Sequence, residues 1–330
     1  SLLLAALAAL VYLNTLHNDL VYDDALIVEQ HLVIRDPSNF PDIWTKAGWL
    51  PNRTGIVYRP LSLWSFSVNY RLNEWMGLDG TDVVNYHIFN LILHAVASCL
   101  LLLLLLRLRI HQTAALIAAA IFALHPVHTE AVAALIGRAE MMAFIFGIVF
   151  LLNHQGRRHA LLCSGAYLLA IWSKESGILF FPLAVAMDII MSRKSETISY
   201  RRYAVYGTVA VAWIITRTLA LGDGSQAVPF VDNPIVGMAW SRGFLTALSV
   251  QLDYLRIFAI PVSFSTDYSY NQLPIAASVV NYRVVIFLAL LAFVIGLSWS
   301  VRRRRPAIGF AVLGYAVLFA ATANMIIPIG

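Results

Sequence analysis

Two adjacent carboxylates, Asp23 and Asp24, lie in the motif NDLVYDDA, just after the first apolar segment of the chain. Carboxylates at a membrane boundary are costly unless they meet water, a cation or a substrate. One of them would serve as a general base toward an acceptor hydroxyl. The alternative is a helix cap with an acid in its first turn, which contributes only about 1 kcal/mol. We favour the base because the pair lies where the segment opens into a long polar loop.

A second candidate is the motif HPVHTEAV, which contains His125, His128 and Glu130. Imidazole and carboxylate groups suit Zn, Mn or Fe. However, the spacing is not that of HExxH on one helical face, and Pro126 breaks a helix there. The motif therefore indicates a phosphate- or sugar-binding loop or a hydrogen-bonded structural loop, and a metal site is the less favoured alternative.

Three cations complete the candidate chemistry: Arg59 in VYRPL, Arg138 in GRAE and Lys174 in SKES. A phosphate leaving group gains negative charge as its bond breaks, and fixed cations stabilise that charge. The planar guanidinium also binds two oxygens at once. Taken singly, each cation is equally consistent with an interfacial residue whose charge reaches water, and Lys174 with a local ion pair to Glu175. Together they favour an anionic ligand.

The composition indicates a membrane protein. Of 330 residues, 60% are hydrophobic and 12% are charged, against about 45–50% and about 25% in soluble domains. So little charge excludes a soluble enzyme, a disordered chain and a nucleic-acid-binding module, and two cysteines exclude a disulfide framework or a Cys-rich metal site. The predicted fold class is an all-α integral membrane bundle of about nine transmembrane helices with a long first exoplasmic loop. The predicted spans are 1–13, 86–108, 110–125, 139–153, 159–172, 176–192, 203–221, 281–300 and 307–323.

The basic residues predict the orientation. Four short loops, beginning near Arg107, Arg157, Arg193 and Arg302, hold 12 of the 23 Lys and Arg residues. Basic loops stay on the cytoplasmic side. The candidate residues above then lie on the opposite, exoplasmic side, in the predicted loops 14–85, 125–138 and 173–176.

The segment 239–260 is apolar enough to suggest another span, but it would reverse that orientation. Its polar residues recur at steps of 4, 3, 4 and 3, which places them on one face of a helix. We interpret it as an amphipathic helix in the outer interface. A span with its polar stripe turned inward is the alternative. The stripe consists of Arg242, Thr246, Ser249, Asp253 and Arg256.

A polar stripe also runs along the second predicted span. His87, Asn90 and His94 follow one another at steps of 3 and 4 on an otherwise apolar helix. Such residues face the interior of a bundle and hydrogen-bond across helices. We therefore expect a structural role for them.

The motifs, taken as an ordered set, carry a family resemblance. NDLVYDDA, YRPLSLWSFSVNY, YHIFNLILHAV, LHPVHTEAVAALIGRAE, WSKESGI, FSTDYSY and NMIIPIG run in order along nearly the whole chain. The set resembles the membrane module of the transmembrane and tetratricopeptide-repeat O-mannosyltransferases and their bacterial relatives. More distantly, it resembles the protein O-mannosyltransferases and other GT-C glycosyltransferases.

The resemblance assigns roles to single residues. Asp23 matches the first acid of the loop-one motif, the presumed base, Asp24 matches its partner, and Glu130 matches the acid of the second exoplasmic loop. No cofactor is required, and a divalent cation, if bound, would meet these three acids. The residues implied to line the donor pocket are Arg59, His125, His128, Arg138, Lys174 and Glu175.

The resemblance implies an inverting transferase with residues 1–330 as a single module. It would move one sugar, mannose, from an undecaprenyl- or dolichyl-type phosphate to a protein Ser or Thr on the exoplasmic face. The expected location is a bacterial inner membrane rather than the endoplasmic reticulum. An Ala-Glu-Arg segment after NMIIPIG and tetratricopeptide repeats are usual in the family and not found in this sequence, and the first span begins inside its apolar run with no basic segment before it. We therefore expect a fragment truncated at both ends.

Two other classes of function remain. A flippase or transporter of lipid-linked sugars would show inverted repeats and Gly- or Pro-interrupted spans near the midplane, and we find neither in the sequence. A role as a non-catalytic assembly subunit would not explain the presence of Asp23 and Asp24.

Overall fold

The computed structural model describes residues 2–46, 51, 57–154, 160–191, 200–222, 230, 233–262, 264–265, 272–276 and 278–323. The motif NMIIPIG, most of FSTDYSY, and the predicted cytoplasmic residues Arg157, Arg158, Arg193 and Lys194 lie outside these ranges.

Helices are the regular structure of the described ranges, as predicted for an all-α protein. Short 3-10 turns at 13–17, 126–128, 135–137 and 175–179 connect several of them. Pro60 and Pro306 begin their helices, where the missing N–H of proline costs no hydrogen bond. The α-helices are α1 (Leu2–Leu10), α2 (Asp23–Val28), α3 (Leu32–Arg35), α4 (Phe40–Thr45), α5 (Pro60–Trp75), α6 (Val83–Arg107), α7 (Gln112–Leu124), α8 (Thr129–Ala133), α9 (Arg138–His154), α10 (Ala160–Ser173), α11 (Phe180–Met191), α12 (Tyr200–Leu221), α13 (Trp240–Ala259), α14 (Tyr282–Val301) and α15 (Pro306–Thr322).

Four helices in the described ranges are long and apolar enough to cross a membrane. They are Val83–Arg107, Leu135–His154, Tyr200–Leu221 and Tyr282–Val301. Gln112–Leu124 and Pro126–Ala133, bent by 46° at the predicted helix break, would form a fifth if they are one broken span. The chain thus has the helices of a membrane protein, and the count of nine stays a prediction.

Contacts divide the chain into two compact units. The first comprises residues 1–184 and 195–226, and the second comprises 185–194 and 227–330. The candidate site residues all lie in the first unit.

The predicted first exoplasmic loop folds onto the helices of the first unit. Ile27, Ile34 and Ile43, one from each of α2, α3 and α4, are at most 1% exposed and join one apolar cluster. That cluster also contains Leu63 of α5 and Leu135, next to the start of α9. Burying each such side chain contributes about 1.5–3 kcal/mol, so apolar burial fixes the loop that carries Asp23 and Asp24.

In the second unit, α13 matches the predicted helix to within one residue at each end, and one of its faces is polar while the other is apolar. Part of its polar stripe is turned inward. Thr246 and Ser249 are buried, and the Thr246 hydroxyl oxygen accepts a hydrogen bond from the Ala276 amide at 3.1 Å. Asp253 pairs with Arg283 of α14. An inward-facing polar stripe is expected of the alternative interpretation, in which the helix is a membrane span. However, α13 is not one of the candidate spans. The position of α13 in the membrane interface stays a prediction.

Candidate active site

The Asp24 carboxylate holds a turn far away in sequence. Its Oδ2 accepts a hydrogen bond from the Leu135 amide at 3.1 Å, and its Oδ1 accepts one from the Ile136 amide at 2.9 Å. These amides belong to the 3-10 turn 135–137 that leads into α9. Amides at the start of a helix lack internal partners, so a carboxylate there caps them. Asp24 lies in the first turn of α2, but the amides that it caps belong to the turn before α9 and not to its own helix.

The environment of Asp24 has opposing electrostatic effects. Only 1% of the residue is exposed, and burial raises the pKa of the carboxyl group above its usual value of 3.8. The hydrogen bonds from Ile136 and Leu135 act in the opposite direction because they favour the charged form. Asp24 is thus buried, and each of its two carboxylate oxygens accepts a hydrogen bond from a backbone amide.

Asp23 differs from its neighbour. It is half-buried, and its side chain makes no hydrogen bond or ion pair with the part of the chain that the structure describes. Successive side chains on a helix point about 100° apart, so the inward turn of Asp24 directs Asp23 elsewhere. Tyr22, just before the pair, has φ +49° and ψ −120°. Such a conformation costs a non-glycine residue about 1–3 kcal/mol and is concentrated at functional sites.

Arg138 is placed differently from the sequence expectation. It is fully buried, its Nη1 donates to Asn69 Oδ1 at 2.8 Å, and its Nη2 donates to the Tyr86 carbonyl at 3.3 Å. The guanidinium carbon lies 3.9 Å from the ring centre of Phe66 and 4.8 Å from that of Phe89. This burial does not fit the predicted phosphate contact. The residue instead joins α5, α6 and α9, and we treat it as a positioning residue.

Glu175 connects the start of α5 to the turn after α10. Its Oε2 accepts from Arg59 Nε at 2.9 Å, and its Oε1 accepts from the Tyr58 amide at 3.1 Å. The local Lys174–Glu175 pair considered from the sequence is therefore not the arrangement found.

Lys174 pairs instead with Glu140 of α9. Glu130 is exposed and lies within electrostatic range of both Glu140 and Lys174. Sequence reasoning missed Glu140, although it stands in the quoted motif ending GRAE, because no spacing rule connects it to Lys174.

The histidines of HPVHTEAV are part of a structured turn. His125 Nδ1 accepts from the Val127 amide at 3.1 Å, and the His125 carbonyl accepts from the Tyr12 hydroxyl at 2.9 Å. The His128 ring centre lies 4.3 Å from that of Phe122. Within the described ranges, no group of three or more His, Cys, Asp or Glu side chains is arranged to hold a metal ion. These contacts support the hydrogen-bonded loop.

The polar stripe of α6 has the predicted structural role. His87 Nε2 lies 3.1 Å from the Asn18 carbonyl, and His94 Nε2 lies 3.0 Å from the Ala123 carbonyl. Asn90 Nδ2 donates to the carbonyls of Val132 and Ala134 at 3.3 and 3.0 Å. The cross-helix hydrogen bonds expected from the sequence are confirmed, and they hold the ends of loops that carry the candidate residues.

These contacts bring three predicted exoplasmic segments together. Asp24 joins 14–85 to 125–138, Arg59 joins 14–85 to 173–176, and Lys174 reaches Glu140 just beyond 125–138. Segments far apart in sequence therefore form one polar end of the first unit.

An apolar groove of about 490 Å³ lies between α1 and α6. It is lined only by apolar and sulfur-containing residues, among them Ala9, Leu16, Ile92, Val96 and Leu100. Such a surface suits a hydrocarbon chain.

The fold and these contacts define an α-helical membrane-type protein with a polar cluster at one end of its first unit. No protein-family model and no solved structure matches the chain. It is 29% identical to a protein O-mannosyl-transferase of Caenorhabditis elegans over 81% of this chain and 39% of that protein. It is 28% identical to one of Xenopus laevis, over 91% and 38% of the two chains, and 24% identical to one of Mus musculus, over 100% and 52%.

Proteins described as O-mannosyl-transferases are thus homologues of this chain along most of its length. The chain spans between about a third and about half the length of these relatives. The relatives named here are animal proteins, and the bacterial location stays a prediction.

Proposed function

We propose that the chain is the catalytic membrane module of a glycosyltransferase of GT-C type. It transfers one mannose from a polyprenyl-phosphate donor to a Ser or Thr hydroxyl of a protein on the exoplasmic face. The similarity to protein O-mannosyl-transferases supports the reaction class. The observation that carries the site is the contrast between Asp24, which is buried and bonded, and Asp23, which is half-buried and has no partner in the described ranges.

In the proposed reaction, the acceptor hydroxyl gives its proton to the Asp23 carboxylate while its oxygen forms a bond to the anomeric carbon. The bond between that carbon and the phosphate oxygen breaks on the opposite side, and the lipid phosphate leaves with the electron pair. One displacement inverts the anomeric centre and needs no covalent enzyme intermediate. Asp24 contributes by holding the turn before α9.

Arg59 and Lys174 are the cations proposed to meet the donor phosphate. Both are only partly exposed, with 17% and 22% of their side chains accessible, and a cation at the edge of water interacts more strongly with an anion than one in bulk solvent. The isoprenoid chain would lie against apolar helix surface, for which the α1–α6 groove is our candidate.

The donor class can be tested with the purified full-length protein in detergent. A Ser/Thr-rich peptide is offered with labelled mannose on polyprenyl phosphate or on a nucleotide. We expect transfer from the lipid donor alone. Transfer from the nucleotide donor would contradict the proposal. So would the absence of transfer in a preparation that moves the lipid-linked sugar across a liposome bilayer, which is the flippase alternative.

A further inference from the structure

The Lys174–Glu140 ion pair has an asymmetry that the proposed reaction does not use. The Lys174 side chain is 22% exposed, whereas that of Glu140 is 57% exposed. The cation is therefore recessed, and its carboxylate partner lies toward solvent. Of the two side chains, that of Glu140 is the more accessible to an anion arriving from water.

The two ion pairs of the cluster differ in how firmly the carboxylate is held. Glu175 accepts two hydrogen bonds, from Arg59 Nε and the Tyr58 amide. Glu140 accepts one from the described residues, that of Lys174. Glu140 also lies within range of the negative charge of Glu130, which weakens its hold because like charges repel. Of the two carboxylates, Glu140 is the easier to displace.

The charges around Lys174 disfavour the binding of a further anion while Glu140 and Glu175 keep their positions. Glu130, Glu140 and Glu175 supply three negative charges, and Arg59 and Lys174 supply two positive charges. An added phosphate would raise the negative excess at short range, which is unfavourable near a protein surface. A phosphate that pairs with the Lys174 ammonium group therefore competes with the carboxylate that already pairs with it, that of Glu140.

We propose that Glu140 holds the place of the donor phosphate on Lys174 in the unliganded protein and is displaced when the lipid phosphate binds. Glu140 then sets the affinity for the donor and, by returning to Lys174, helps release the polyprenyl phosphate product. The proposal rests on the proposed function, since it takes the ligand to be a lipid-linked phosphate.

The test is a binding measurement with polyprenyl phosphate on the full-length protein. Glu140→Gln removes the competing charge, so we expect its dissociation constant to fall by up to about fivefold, the scale of a partly exposed ion pair. Glu140→Asp keeps the charge, and we expect no tightening. Glu74→Gln, which removes the partner of Arg71 in an exposed pair within α5, is the matched control and leaves binding unchanged.

A second arm assigns the effect to Lys174. In the Lys174→Met background, we expect Glu140→Gln not to increase the affinity for polyprenyl phosphate, because the cation for which Glu140 and the phosphate compete is gone. The proposal is overturned if Glu140→Gln leaves binding of polyprenyl phosphate unchanged or weakens it, or if only inorganic phosphate binds more tightly. Mannose transfer is measured in parallel. If mannose is transferred but Glu140→Gln does not bind polyprenyl phosphate more tightly, only the role of Glu140 is rejected. If Glu140→Gln binds polyprenyl phosphate more tightly but no mannose is transferred, the proposed reaction is rejected and the phosphate site is kept.

Discussion

At the scale of single residues, two neighbouring aspartates, Asp23 and Asp24, differ in their surroundings. Asp24 binds two backbone amides that lie more than a hundred residues away in sequence, whereas the Asp23 side chain makes no hydrogen bond or ion pair with the described residues. The sequence singled out the pair and offered both a catalytic and a capping interpretation. The sequence does not show which aspartate has which role, because this depends on where the turn 135–137 lies in the fold and on the backbone conformation of Tyr22. No glycine or proline at position 22 signals that conformation.

Asp24→Ala tests the capping role. The substitution leaves two buried amides without an acceptor, and each costs about 1–3 kcal/mol. We expect a clear loss of unfolding free energy, measured by denaturation in detergent. Asp19→Ala, an exposed aspartate of the same segment, is the control. Equal stability of the two variants would show that Asp24 does not hold the turn.

Asp24 also predicts a pH dependence. Because burial raises the pKa of its carboxyl group in the folded state, the folded protein binds more protons than the unfolded chain between pH 3.8 and that higher value. The contribution of Asp24 to unfolding free energy therefore falls as pH rises through this window and is constant above it. The difference between wild type and Asp24→Asn, measured against pH, isolates this contribution. A difference that grows with pH would contradict the assignment.

At the scale of helices, the polar stripe of α6 was predicted from spacing alone, because a period of three to four residues fixes one face of a helix. Its partners were not predictable. They are backbone carbonyls, such as those of Asn18 and Ala134, and carbonyls carry no sequence signal. For the same reason, the aromatic surroundings of Arg138 were missed, since they are formed only when α5, α6 and α9 meet.

Asn90→Leu tests whether α6 holds the loop before α9. Loss of the bonds to the carbonyls of Val132 and Ala134 should cost about 1–3 kcal/mol and increase amide hydrogen exchange across 132–138. Asn153→Leu is matched, because Asn153 donates to Val149 of its own helix. If amide hydrogen exchange is unchanged in Asn90→Leu, α6 does not help to position the site.

At the scale of the whole molecule, the sorting of charge by loop predicted that three polar segments share one side of the membrane. The contacts among 14–85, 125–138 and 173–176 are those expected of segments on one side. The particular ion pairs were beyond prediction, since Lys174 and Glu140 are joined by folding and not by spacing.

Cysteine labelling tests the orientation. Glu74→Cys and Arg107→Cys are made in a chain with Cys99 and Cys163 replaced by alanine. α6 has 25 residues and is about 37 Å long, enough to separate its ends by a bilayer core of about 30 Å. We expect an impermeant thiol reagent applied from the exoplasmic side to label position 74 alone. Labelling of position 107 from that side would reverse the topology.

We propose above that Asp23 is the base of a sugar transfer from a lipid phosphate. The measurement is the rate of mannose transfer to a peptide by Asp23→Asn, compared with Asp19→Asn at matched folded fraction. Asparagine keeps the shape of aspartate but cannot take up the proton, so we expect Asp23→Asn to be slower by about 10²–10⁴-fold, with Asp19→Asn close to wild type. A rate for Asp23→Asn near that of wild type would contradict the role of Asp23 as the base.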